Sequence, residues 1–188
     1  MTKLSILIPH LYSRKESLDI LIDQLSNQVR ELDAFDLIQI LVDGDNGEKT
    51  IGRKRNDLLF NAEGEYISFV DDDDKVSDTY IKDLLHGISF NPDVLSLIGV
   101  FTERGKTPQT FMHSMHYQGW YEKDKILFRY INHLNCIKID YAKMAGFPET
   151  SFGEDKIYSD RLLQLGVLKD EYTVNNVLYY YDYIPNKK

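Results

Sequence analysis

The chain has 188 residues, of which 43% are hydrophobic and 28% charged; this is typical of a globular domain and excludes a disordered or collagen-like chain. Its formal net charge of −8 argues against a protein that binds nucleic acid or an anionic membrane surface by neutralising phosphates. The single cysteine, Cys136, cannot form an intramolecular disulfide, and no apolar run reaches the roughly 18 residues of a membrane span, so we expect a cytoplasmic protein without an integral membrane segment.

Strand and helix patterns alternate through the first half of the chain, which is typical of a parallel sheet flanked by helices. Short apolar runs predict four strands, over residues 4–8, 36–42, 65–70 and 94–101. Helical spacing of apolar residues predicts three helices, over residues 18–29, 50–62 and 80–88. Pro9 is expected to end the first strand, and Ser77 and Asp78 to cap the third helix.

The second half has a looser pattern, with possible strands over residues 110–117 and 134–139 and a final strand over 177–183 that ends at Pro185. Its clearest helix covers residues 154–165, where Ser151 and Glu154 fit a capping box and Gly166 fits a C-terminal cap. No repeat or linker divides the chain, so we expect one domain over residues 1–188.

Acidic side chains stand at the predicted ends of strands and at the start of the late helix. Asp43 follows the second strand, four aspartates at 71–74 follow the third, and Asp155 lies in the first turn of the helix. Ligands bind at the carboxyl ends of parallel strands, and clustered carboxylates repel one another unless a cation offsets them. Mg²⁺ or Mn²⁺ would suit such oxygen ligands. The alternative is a solvated loop that caps the next helix.

Three other groups of charged or reactive residues have ordinary explanations. A calcium loop of the EF-hand type fails because Val76 stands where glycine is required and Lys82 where glutamate is required. The basic run at residues 53–55 begins a helix and would suit an anion, although a solvated helix face explains it as well. Cys136 and His133 are expected to be buried or hydrogen-bonded rather than catalytic.

Six short segments, in this order and spacing, resemble glycosyltransferase family 2 with its GT-A fold. The segments are LSILIP at 4–9, ILVDG at 40–44, GRKRN at 52–56, GEYISFVDDDD at 64–74, GFP at 146–148 and GED at 153–155. The resemblance implies an α/β fold with a mostly parallel, Rossmann-like sheet flanked by helices and a mixed C-terminal half. Residues 1–101 would bind a nucleotide sugar, and residues 102–188 would bind the acceptor and supply the catalytic base.

The resemblance also implies roles for individual residues. Asp71 and Asp73 frame a D-x-D motif that would bind the metal, Asp73 most directly, and Asp72 would face the ribose. The remaining implied contacts are Asp43, Pro9 and His10 at the nucleotide base, Arg55 at the base or diphosphate, and Asp155 as the general base for the acceptor hydroxyl.

The implied activity is a metal-dependent, inverting transfer of a sugar from a nucleotide-diphosphate sugar, with UDP the most frequent donor of the family, to a glycan or other hydroxyl acceptor. The Q-x-x-R-W pattern of polymerising members is absent, which favours a non-processive enzyme. Gly44 and Lys54 depart from the family pattern at the nucleotide contacts. A nucleotidyltransferase and a non-catalytic nucleotide-sugar-binding module are the alternatives.

Overall fold

The computed structural model describes residues 1–184. The last residues of the predicted domain, 185–188, which include Pro185, lie outside the described residues. The strands are β1 (Leu4–Leu11), β2 (Ile38–Asp45), β3 (Tyr66–Phe69), β4 (Lys75–Val76), β5 (Val94–Leu95), β6 (Leu97–Glu103), β7 (Lys106–His113), β8 (Tyr121–Lys123), β9 (Ile126–Arg129), β10 (Ile137–Lys138), β11 (Glu171–Tyr172) and β12 (Val177–Tyr183). The helices are α1 (Lys15–Glu31), α2 (Ile51–Asn61), α3 (Tyr80–Ile88), α4 (Ile139–Ala145) and α5 (Glu154–Leu165).

The first sheet has the strand order β11-β5-β10-β3-β1-β2. All its strands run parallel except β10, which is antiparallel to both neighbours. Alternate residues of β1 point to opposite faces: Ile6 joins the core formed with α1 and α3, whereas Leu7 joins the core formed with α2, α4 and α5. The predicted α/β fold with a mostly parallel sheet between helices is therefore confirmed.

The first strand does not end at Pro9, as the sequence had suggested. β1 continues to Leu11 and stays paired with β2, where Pro9 lies opposite Asp43. The carbonyl of Leu7 accepts a hydrogen bond from Val70 on the β3 side, so the nitrogen of Pro9, two residues later, faces the same side beyond the end of β3. Because no ladder partner stands there, a proline without an N–H is tolerated inside the strand.

The second sheet has the order β4-β12-β6-β7-β9-β8 and mixes parallel and antiparallel pairs. The single strand predicted over residues 94–101 is wrong, because the chain changes sheets at Ser96, between β5 and β6. Both sheets take strands from both sides of residue 101. The two sheets therefore do not correspond to the predicted halves, residues 1–101 and 102–188.

Two predicted helix caps are wrong. Thr79, not Ser77 or Asp78, occupies the N-cap position of α3, and Ser77 contributes only its backbone carbonyl, which accepts from Tyr80. Helix α5 has the predicted bounds and the predicted cap at Gly166, but its N-cap is Gly153 and no side chain caps it. The carboxylate of Glu154 is therefore available for a tertiary contact.

Candidate active site

The four aspartates after β3 occupy two kinds of environment. Asp72 and Asp74 are buried, whereas the side chains of Asp71 and Asp73 are 32% and 18% exposed. The hydroxyl of Tyr179 on β12 donates to Asp74 Oδ2 (2.8 Å) and accepts from the backbone N–H of Asp71 (3.1 Å). The second sheet thereby holds the acidic loop in place at the edge of the first.

Arg55 joins the acidic loop to the start of α5. Its Nη2 donates to Asp71 Oδ1 (3.0 Å) and its Nη1 to Glu154 Oε1 (2.6 Å). The guanidinium is 97% removed from solvent and lies 5.9 Å and 5.6 Å from the ring centroids of Phe69 and Phe147. Burial opposes the charged form of Asp71, but Arg55 and His133 together outweigh it and hold the pKa of that carboxyl below its usual range.

Arg14 is a second cation at the loop, and the sequence did not predict it as a site residue. Its Nη1 lies 3.0 Å from Asp72 Oδ1 and 3.2 Å from Asp73 Oδ2. Asp72 also accepts from the backbone N–H of Leu11 and contacts His10 Nδ1 at 2.8 Å. Asp72 therefore holds together the end of β1 and the turn that follows it. These contacts are structural, whereas the sequence predicted that Asp72 would contact the ribose.

These groups line one cleft of about 550 Å³ at the carboxyl ends of β1 and β3. The cleft brings together several predicted site residues, Pro9, Arg55 and the aspartates 71–73, with Arg14 and Glu154. Aromatic residues Phe152, Tyr181 and Tyr183 form part of its wall. Carboxylates and guanidinium groups face the same space, so the cleft can bind an anion and a cation together.

The residues predicted at the nucleotide base lie in neighbouring cavities. His10 lines a cavity with Tyr12 and Gly44, while Asp43 lines another and accepts from Lys49 Nζ at 2.8 Å. A Cβ atom on Gly44 would lie 2.7 Å from Tyr12 Cε1 and 2.9 Å from His10 Cδ2. Glycine at this position, a departure from the family pattern, is what allows the two rings to lie against β2.

The basic run of α2 is not a solvated face. Arg53 is exposed, but Lys54 and Arg55 are buried. Lys54 Nζ lies 2.5 Å from Asp45 Oδ1, and although burial disfavours the charged carboxylate, this bond and backbone N–H donors lower the pKa of Asp45 to about 2. Lys54, the second departure from the family pattern, thus forms a buried ion pair at the end of β2.

Asp155, the predicted general base, stands beside the cleft without lining it. It is half-buried and accepts a hydrogen bond from the backbone N–H of Lys156 at 2.8 Å. The residue of α5 that reaches the cleft is Glu154. The capping box expected for Glu154 is wrong because its carboxylate bonds Arg55, and Ser151 accepts from Ile51 instead.

Two residues expected to be structural are buried. Burial raises the pKa of the Cys136 thiol well above its usual value, which makes it a poor nucleophile. His133 Nε2 lies 3.6 Å from Asp71 Oδ2, and neither of its ring nitrogens has a hydrogen-bond partner among the described residues. His133 thus faces the carboxylate at the cleft.

The donor set fits a divalent cation that a substrate also binds. Within residues 1–184 no group of three or more His, Cys, Asp or Glu side chains is arranged to hold a metal. Asp71 and Asp73 nevertheless reach the cleft, and one or two carboxylates suffice for Mg²⁺ when substrate phosphates complete its shell.

Within the described part of the chain, no helix combines the length and the apolarity that a membrane crossing needs.

Comparisons with known proteins point to one family. The model of the family described as glycosyl transferase family 2 matches residues 20–152. The crystal structure of S. aureus TarS 1-349 in complex with UDP-GlcNAc has 19% identity and a TM-score of 0.68, over 97% of this chain and 59% of that one. The same TarS fragment in complex with UDP has 20% identity and a TM-score of 0.66, over 98% and 61%. At these identities the likeness shows the fold. No curated protein sequence matches the chain.

Proposed function

The chain belongs to glycosyltransferase family 2 and has its GT-A fold, and from that premise we propose that it transfers a sugar from a UDP-sugar to an acceptor hydroxyl. The observation that carries the proposal is the cleft in which Asp71, Asp73 and two arginines meet the first turn of α5. UDP is chosen because the similar TarS structures carry UDP-GlcNAc and UDP. This chain spans less than two thirds of that TarS fragment.

The diphosphate is proposed to bind at the acidic loop. Asp71 and Asp73 would share Mn²⁺ or Mg²⁺ with its oxygens, and such a cation stabilises the negative charge that develops on the leaving phosphate. Arg14 and Arg55 now pair with these carboxylates. With a cation on Asp71 and Asp73, N–H donors of both guanidinium groups could turn to the diphosphate, while Glu154 would still hold Arg55 and Asp72 would still hold Arg14.

The nucleotide base is proposed to bind along the end of β2. Asp43 would accept from the base, and Pro9 and His10 would lie beside it, as the family resemblance implies. His10 is oriented for this by Asp72, whose Oδ2 lies 2.8 Å from its Nδ1. We therefore give Asp72 the role of positioning His10 and Arg14, in place of a contact to the ribose.

Asp155 is proposed as the general base, with inversion at the anomeric carbon. Glu154 suits this role less well, because it is buried and its carboxylate bonds Arg55 at 2.6 Å. Asp155 is more accessible and has no side-chain ion pair among the described residues. An ionised carboxylate that accepts the acceptor's proton during attack contributes about 10²- to 10⁴-fold to the rate. We also propose a non-processive reaction. The single, buried Cys136 favours a cytoplasmic location.

A screen of nucleotide sugars by thermal stabilisation, with and without Mn²⁺, tests this function, because a ligand that binds only the folded protein raises its stability. A UDP-sugar should stabilise the chain more with Mn²⁺ than without, and turnover should release UDP. Release of pyrophosphate would identify a nucleotidyltransferase. Metal-dependent binding without turnover of any donor would identify a non-catalytic binding module.

A further inference from the structure

A guanidinium without a carboxylate partner stands beside the proposed base. Arg129, at the end of β9, stacks on Trp120 with its Cζ 4.5 Å from the ring centroid. Among residues 1–184 it forms no ion pair and its guanidinium donates no hydrogen bond to the protein. By contrast, Lys156 Nζ, 5.9 Å from the same ring, is neutralised by Asp160 at 2.6 Å.

The position of Arg129 is fixed from several sides. The indole N–H of Trp120 donates to Ser159 Oγ on α5 at 3.2 Å, which anchors the ring under the guanidinium. The backbone carbonyl of Arg129 accepts from Ser114 at 3.1 Å. A guanidinium held by a ring face, rather than by a carboxylate, keeps its planar set of N–H donors available to a ligand.

Trp120, on which Arg129 stacks, bonds Ser159, which lies four residues after Asp155 and therefore one helical turn away on the same face of α5. Burial lowers the pKa of Arg129, while the nearby Asp155 and Tyr181 act in the opposite direction. Tyr181 forms part of the cleft wall beside the acidic loop, and Asp155 is the proposed base. The guanidinium therefore lies near the proposed base, where the acceptor hydroxyl would have to approach.

We propose that Arg129 and Trp120 form a subsite for an acceptor that carries an oxyanion group, a carboxylate or a phosphate. Arginine binds both groups through paired hydrogen bonds, and the tryptophan ring holds the guanidinium in place for them. This inference rests on the proposed transferase function, because it concerns the second substrate of that reaction. It also supplies positive charge where the net charge of −8 would otherwise repel an anionic acceptor.

Trp120 is the only tryptophan of the chain, so its fluorescence reports on this subsite directly. The full chain is titrated with glucose 6-phosphate, glucuronate and neutral glucose, each with and without UDP. At least one of the two anions should give a saturable change that UDP does not abolish, and glucose should bind more weakly. Whichever anion binds tighter identifies the oxyanion.

Variants then assign the binding to Arg129. Arg129→Met should weaken anion binding about 10- to 100-fold, the loss expected for hydrogen bonds to a charged group. Arg129→Lys should lose less, because it keeps the charge without the paired geometry. Lys123→Met, which removes an exposed charge from the same hairpin, should bind like wild type.

Several results would overturn the proposal. These are equal binding of glucose and both anions, competition by UDP, an affinity of Arg129→Met equal to wild type, or an equal loss in Lys123→Met. If Arg129→Met fails to fold by circular dichroism, Arg129→Lys takes its place in the same comparison. The titration needs no turnover, so a wild-type protein that binds the anion without using any UDP-sugar contradicts the proposed function and not the subsite.

Discussion

Replacing Arg55 with methionine should destabilise the fold strongly. The guanidinium bonds Asp71 at 3.0 Å and Glu154 at 2.6 Å from an almost fully buried position. Methionine fills a similar volume between Phe69 and Phe147 but leaves two carboxylates without a cation. Breaking one side of a buried ion pair costs about 3–5 kcal/mol. For a protein of this length, that corresponds to a fall of roughly 6–20 °C in Tm.

Urea unfolding followed by circular dichroism measures the loss, and Arg53→Met is the matched control. Arg53 lies on the same helix with its side chain 54% exposed and pairs with Asp57 and Glu149, so its removal should leave the free energy of unfolding close to that of wild type. The deficit of Arg55→Met should shrink as pH falls toward 4: Arg55 lowers the pKa of Asp71 and so stabilises the folded state above the ordinary carboxyl pKa, and this contribution of the wild type is lost as Asp71 becomes protonated. If Arg55→Met unfolds within about 1 kcal/mol of wild type, the bridge does not organise the site as described.

Three further changes test other parts of the account. Asp73→Asn should weaken Mn²⁺-dependent UDP binding about tenfold or more in calorimetry, and the exposed control Asp36→Asn should leave it unchanged; equal affinities would remove Asp73 from the metal site. Gly44→Ala should cost about 1–3 kcal/mol in urea unfolding, because its Cβ would lie 2.7 Å from Tyr12 Cε1; wild-type stability would show that the ring moves freely. Asp45, with a pKa lowered to about 2, stabilises the fold above the ordinary carboxyl pKa near 4, and this contribution is lost as pH falls toward 2. Asp45→Asn should therefore lose less stability than wild type between pH 4 and pH 2. An equal loss in both proteins would contradict the assignment.

The elements that the sequence predicted correctly are those whose residues show a regular apolar pattern along the chain. Helix α5 has the predicted bounds of residues 154–165, and the acidic run follows a buried parallel strand as expected. The apolar periodicity of strands and helices, together with Gly166 as a cap, carries this information within a few residues. The family motifs added the correct fold because their order along the chain is specific.

The features missed by the sequence depend on contacts between distant residues. Glu154 reads locally as half of a capping box, yet it bonds Arg55, which is 99 positions away. Arg14 follows β1 in a stretch with no distinctive motif, and only the fold brings it to Asp72 and Asp73. The switch between sheets at Ser96 is likewise invisible, because the residues on both sides of it favour a strand.

Donor turnover by wild type and by Asp155→Asn tests the central claim most directly. With Mn²⁺ and a UDP-sugar that stabilises the protein, wild type should release UDP in the presence of an acceptor. Asp155→Asn should bind the donor with unchanged affinity and lower kcat by about 10²- to 10⁴-fold. A near-normal kcat in Asp155→Asn would show that another group accepts the proton, and the absence of UDP release from every UDP-sugar by wild type would contradict the proposed transfer itself.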